Sequence, residues 1–89
     1  MTIQLKRGVV FSEADGQSVL TGAGRRAAYY RLNEVGTISL GLMLEGASAD
    51  AAAEIVSERY SVGVDQVRAD IGALVDDLRA ADLIRAPKR

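Results

Sequence analysis

The stretch Ala27-Ala28-Tyr29-Tyr30-Arg31-Leu32-Asn33-Glu34-Val35-Gly36 contains the change of hydrophobic period on which the fold turns. As far as Leu32 the residues alternate: Ala28, Tyr30 and Leu32 share one face of an extended chain, and Ala27, Tyr29 and Arg31 share the other. Two adjacent tyrosines on a strand must point in opposite directions, so at most one of them joins the core. Asn33 then offers a side chain able to accept from an amide two or three residues on. Val35, Ile38 and Leu42, with Leu40 and Met43 beside them, continue at helical spacing. The pattern predicts a strand running directly into a capped helix from Glu34 to about Leu44, ended by Gly46. Gly36 and Gly41 weaken the propensity of that helix, and packing is expected to hold it together.

Upstream, Val9-Val10-Phe11 and Ser18-Val19-Leu20-Thr21 are rich in strand formers and flank Asp15-Gly16, the best turn signal in the chain. Downstream, Ser48 or Asp50 can cap a second helix through Ala52, Ile55, Val56 and Tyr60. Asp65 can cap a third, whose face Val67, Ile71, Leu74, Val75 and Leu78 is apolar, while Gln66, Asp70, Asp76, Asp77 and Arg79 lie largely outside it. Leu83 and Ile84 add a last apolar pair. The fold class expected is α+β: a three-stranded antiparallel sheet followed by three helices, in the layout of a winged helix-turn-helix. Eighty-nine residues, 48% of them hydrophobic, suffice for one domain spanning 1–89 with an ordered core at about 8–84.

Composition narrows the chemistry. The chain has no cysteine and no histidine, which removes disulfides, thiolate nucleophiles, the commonest metal ligand and the ordinary near-neutral base. No enzyme activity, metal or cofactor is expected. Eleven basic residues against twelve acidic leave no global field to draw nucleic acid or an anionic membrane. No apolar stretch approaches the roughly 18 to 20 residues of a membrane span, and Met1–Lys6 does not read as a secretory signal, so cytoplasmic residence is the expectation.

Local motifs were weighed against solvated surface. A DNA reader needs basic and amide side chains on its recognition helix, yet Asp65 to Asp82 carries five aspartates against Arg68 and Arg79. Arg25, Arg26 and Arg31 form a small basic cluster that reads as a solvated face. Gly22 and Gly24 ahead of Arg25 lack the GxxxxGK pattern of a phosphate loop. Asp70, Asp76 and Asp77 straddle a helix without a loop to wrap a cation, and Ser39 has no histidine to activate it. A peptide partner fits better, because the third strand has an edge on which an extended segment can add, beside a helix that can supply side-chain pockets.

The run Tyr30-Arg31-Leu32-Asn33-Glu34-Val35-Gly36, the helix ending Glu45-Gly46, the stretch Arg59-Tyr60-Ser61-Val62, then Val67-Arg68-Ala69-Asp70-Ile71 with Leu74, Leu78 and Asp82-Leu83-Ile84, together resemble the PqqD family of peptide chaperones, or RiPP recognition elements. The likeness spans roughly positions 8 to 84 and is greatest to the free-standing members of lasso-peptide biosynthesis. It implies that the leader of a ribosomally made precursor peptide adds as a strand to the third strand and is clamped against the third helix. On this chain the pairing segment would be Ala27, Ala28, Tyr29, Tyr30 and Arg31. The helix contacts would be Val67, Arg68, Asp70, Ile71, Leu74 and Val75, with Tyr29 or Tyr30 as a wall and Arg68 and Asp70 reading charge. The partners implied are a transglutaminase-like leader peptidase and an asparagine-synthetase-like macrocyclase, with the protein itself a monomer when free. Many members carry a large aromatic late in the first helix where this chain has Leu40, a packing variation that leaves the fold intact. Winged-helix DNA binding, and service in another modified-peptide pathway such as that of pyrroloquinoline quinone, are the competing readings.

Overall fold

The computed structural model describes residues 3–22 and 29–85. Strands β2 (Val10–Ala14) and β3 (Gln17–Thr21) form an antiparallel hairpin whose two-residue loop is Asp15-Gly16. Both loop residues have positive φ, 55° and 80°, which matches the right-handed twist of the strands they join. Strand β4 (Tyr29–Leu32) pairs antiparallel with β3, placing Leu20 opposite Tyr30 and Ser18 opposite Leu32. The order β2-β3-β4 leaves β4 at an edge. The sequence places the start of this strand at Ala27; Ala27 and Ala28, like Gly24, Arg25 and Arg26, lie outside the described residues.

Three helices follow: α1 (Glu34–Leu44), α2 (Ala49–Tyr60) and α3 (Val64–Ala80). This is the expected sequence of sheet and helices. Asn33 caps α1, its Oδ1 accepting from Gly36 N at 2.8 Å, and Ser48 rather than Asp50 caps α2, accepting from Ala51 N at 3.0 Å. Two expectations are corrected here. Asp65 does not cap α3: the helix begins two residues earlier than that cap would place it, at Val64, Gly63 occupies the cap without a side-chain bond, and Asp65 sits in the first turn, where its charge suits the helix dipole. Gly36 is more than a weakness in α1. A Cβ there would come within 3.3 Å of the capping Asn33 Oδ1 and 3.5 Å of Leu32, so glycine permits the close join of β4 to α1.

Leu83 and Ile84 are not the end of the last helix. Asp82 takes a left-handed φ of 63°, Leu83 N donates to Leu78 O at 3.0 Å and Asp82 N to Arg79 O at 3.0 Å, a Schellman closure with Leu78 and Leu83 both buried. The chain then turns into β5 (Ile84–Arg85), which pairs with β1 (Gln4–Leu5) in a separate two-stranded sheet. Lys6 reinforces that sheet through its amide to Leu83 O at 3.0 Å and its ammonium to Asp82 at 2.7 Å. Strands of two residues carry almost no periodic signal, which is why the pattern does not reveal them. No helix among the described residues is long and apolar enough to cross a membrane.

The core lies between the sheet and the helices. Leu20, Leu40, Met43, Val56, Ile71 and Leu78 are fully or almost fully buried, each worth about 1.5–3 kcal/mol of transfer free energy. One polar pair is buried with them: Ser18 Oγ and Thr37 Oγ1 lie 2.7 Å apart and tie β3 to α1. Removing one partner strands the other hydroxyl in the interior, so Ser18→Ala and Thr37→Val are each expected to cost about 1–3 kcal/mol. The double variant should lose less than the sum. Urea denaturation of the parent and the three variants measures the coupling, and strict additivity would show that the bond contributes nothing.

Candidate functional site

The join at Asn33 sends α1 beneath the sheet and leaves α3 standing off from β4, and between the two opens a cleft of about 450 Å³. That volume is in the range of a ligand site. Tyr30, Arg31 and Leu32 line its strand side, Val35, Gly36 and Ser39 of α1 line its base, and Val62 closes the end near α2. The α3 wall comprises Val67, Asp70, Ile71, Ala73, Leu74 and Asp77, residues that recur every three or four positions and so share one helix face. Val67 and Ile71 are about 1–2% exposed and belong to the core, offering only their edges to the cleft. Leu74, half-buried, is the apolar side chain with surface to give.

Within β4 the pleat decides which tyrosine enters. Tyr30 sits in a cross-strand row with Leu20 and Phe11 on the helix-facing side, while Tyr29, in the row of Thr21 and Val10, is 69% exposed on the other face. Tyr30 reaches across the cleft and donates its hydroxyl to Asp77 Oδ2 at 3.1 Å, a side-chain bridge from β4 to α3. Burial raises the pKa of this phenol above that of an ordinary tyrosine, and the hydrogen bond to Asp77 and the carboxylate's charge raise it further. On the same wall Asp70 accepts from Gln66 Nε2 at 3.0 Å.

Of the residues expected from sequence, the fold gathers Tyr30, Arg31, Val67, Asp70, Ile71 and Leu74 around the cleft. Tyr29 faces away from it, and Val75 packs half-buried against the core. Arg68 turns toward α2: its Nε donates to Asp50 at 2.9 Å and its Nη1 to Asp65 at 3.0 Å, exposed ion pairs worth at most about 1 kcal/mol. Ala27 and Ala28 are outside the described residues. The sequence reading did not pick out Asp77, Val35 or Val62 for the site. For Asp77 a signal existed, since it falls two turns after Asp70 and so on the same face. No group of three or more carboxylates is gathered into a possible metal site among the described residues, Asp70, Asp76 and Asp77 included.

Ser39 adds a second polar feature. Its Oγ is fully buried at the base of the cleft and has no hydrogen-bond partner, the only such buried side-chain atom among the described residues. A hydroxyl left in that condition costs roughly 1–3 kcal/mol in the free protein.

Three comparisons bear on what the cleft is for. The family model described as Coenzyme PQQ synthesis protein D (PqqD) matches residues 9–84. No curated protein sequence matches the chain. Among solved structures, TbiB1 in complex with the TbiA(beta) leader peptide is similar with a TM-score of 0.83 and 22% identity, over 97% of this chain and 99% of that one. A lasso peptide synthetase B1 complexed with the leader peptide is similar with a TM-score of 0.85 and 24% identity, over 97% of this chain and 100% of the other. At such identities the likeness speaks for a shared fold.

Two outcomes test the geometry of the cleft. Asp77→Asn removes the charge that faces Tyr30 but leaves its burial, so the phenol should titrate at lower pH than in the parent, though still above an ordinary tyrosine. Phenolate absorbance followed against pH, with Tyr30→Phe to assign the signal, reads this directly. Because the raised pKa favours the protonated phenol, its contribution to stability is present below the unfolded tyrosine value near 10 and is lost as pH rises through the folded one. Ser39→Ala should leave thermal stability equal or higher; a clear loss would mean that the hydroxyl has a partner in solution.

Proposed function

Because the chain belongs to the PqqD family, we propose that it is a non-catalytic recognition protein that holds the leader segment of a ribosomally synthesised precursor peptide in the cleft between β4 and α3. The observation that carries this reading is the edge position of β4 facing an apolar-based cleft of suitable volume. An edge strand presents unpaired amides and carbonyls, and a leader added there in extended form would gain main-chain hydrogen bonds while its alternate side chains entered the cleft. Leu74 and the edges of Val67 and Ile71 would take apolar side chains, and Tyr30 would form the wall. The solved relatives named above are complexes with leader peptides, which supports the same use of this fold.

Holding a leader accelerates nothing by itself. Its effect is on concentration: a tethered core peptide is kept near the enzymes that process it, and the second encounter becomes effectively intramolecular. In a lasso pathway those enzymes would be a transglutaminase-like leader peptidase and an asparagine-synthetase-like, ATP-dependent macrocyclase. A cysteine-free, histidine-free chain suits this division of labour, in which the chemistry belongs to the partners. Recognition for pyrroloquinoline quinone uses the same fold, and the leader that binds separates the two pathways. The DNA-binding reading is disfavoured by α3, whose exposed positions include Asp65, Asp70, Asp76 and Asp77 and which would repel a phosphate backbone.

A backbone-amide titration of the labelled protein with the leader encoded beside its gene, and with duplex DNA as control, tests the proposal. Saturable shifts along β4 and the cleft face of α3 with the leader alone are expected. Leu74→Asp should weaken leader binding at least about tenfold, the equivalent of about 1.4 kcal/mol, with the circular dichroism spectrum retained because Leu74 is only half-buried. Shifts induced by DNA and none by the leader would overturn the reading.

A further inference from the structure

The α3 wall of the cleft is acidic. Asp70 and Asp77 stand two turns apart on it, and among the described residues both have only neutral partners: the Gln66 amide for the first and the Tyr30 phenol for the second. Arg31, the basic residue among those lining the cleft, forms no ion pair among the described residues, and Arg68 is committed to Asp50 and Asp65 on the side toward α2. Among the described residues, then, no cation is paired with either carboxylate of this wall. A second, independent observation at the base of the same cleft is the fully buried Ser39 hydroxyl, which has no hydrogen-bond partner among the described residues.

An extended peptide laid over the cleft strips water from both carboxylates. A neutral or acidic residue at that place leaves them desolvated and unpaired, which opposes binding, whereas a cation offsets the loss. Resting on the leader-binding reading, we propose that the cleft selects a leader whose bound segment carries a lysine or arginine, its charged group lying against Asp70 and Asp77 while a polar group of the same segment reaches Ser39. The effect is chiefly on specificity: acidic leaders are rejected and basic ones admitted over an apolar base that does not itself discriminate.

Calorimetric titration of the full chain with the leader encoded beside it, and with peptides in which each lysine or arginine is replaced singly by glutamine, tests this. One replacement is expected to weaken binding about two- to five-fold, as an exposed ion pair would. Asp70→Asn or Asp77→Asn should produce a similar loss with the parent leader and little further loss with that peptide, and the difference should shrink at high salt. Asp76→Asn, whose carboxylate is not part of the cleft lining, should bind as the parent does. The peptide replacements leave the protein untouched, so a folding defect cannot imitate the result. Tight binding of a leader without a basic residue, or equal binding of every glutamine peptide, overturns the charge selection and leaves leader binding standing. Failure of the parent chain to bind the unmodified leader overturns the leader reading and this inference with it.

Discussion

Leu40 and Met43 are fully buried where α1 crosses beneath the sheet, and β3, β4, α2 and α3 all pack against that helix. On one side α1 meets β3 and β4; on the other it meets α2 and α3. Its N-terminus is fixed by Asn33 and by the closeness that Gly36 permits, so β4 and α1 behave as one bent unit. The Ser18–Thr37 hydrogen bond pins β3 to the same unit within the core. Because α1 is inserted between β4 and α3, the strand and the helix cannot close on each other, and the cleft is a consequence of how the core is filled. Leu40 leaves no exposed surface in that packing.

The closures of the helices serve the same arrangement. Gly46, with φ of 115°, and Asp82, with φ of 63°, both turn the chain at a helix end through left-handed backbone, and in each case the amide of the following residue bonds back to the last turn. At α3 this brings Ile84 opposite Leu5 and joins the two ends of the described chain in a small second sheet. The helix that forms one wall of the cleft is thereby anchored at its far end. A wall held from both ends can present Asp70, Leu74 and Asp77 in a fixed relation to Tyr30, which is what recognition of an extended segment requires.

Electrostatics distinguish the two sides of α3. Toward α2, Arg68 is drawn into ion pairs with Asp50 and Asp65, and those charges are satisfied in water. Toward β4, Asp70 and Asp77 meet only an amide and a phenol among the described residues. A helix of this polarity is a poor reader of nucleic acid even in a layout of strands and helices shared with DNA-binding folds. A few side chains, rather than the layout of strands and helices, set the charge that such an architecture presents to a partner, which is the general relation between fold and function.

Much of this was fixed by local pattern. The change from alternation to helical spacing at Asn33, the Asp15-Gly16 turn and the apolar face of the third helix are short-range properties, and they determine the strands, the three helices and most of the cleft's apolar lining. Tertiary structure decided what depends on distance across the chain. Pattern places Tyr29 and Tyr30 on opposite faces, but only the pairing of β4 with β3 and the packing of α1 below settle that Tyr30 turns inward to Asp77, 47 residues further on. Arg68 and Asp70 are equivalent in sequence as polar residues beside an apolar stripe, and they part company because α2 lies on one side of α3 and β4 on the other. The two-residue strands β1 and β5 exist only because the chain ends meet, since a segment that short has no period and gains its hydrogen bonds solely from a partner the sequence does not place beside it.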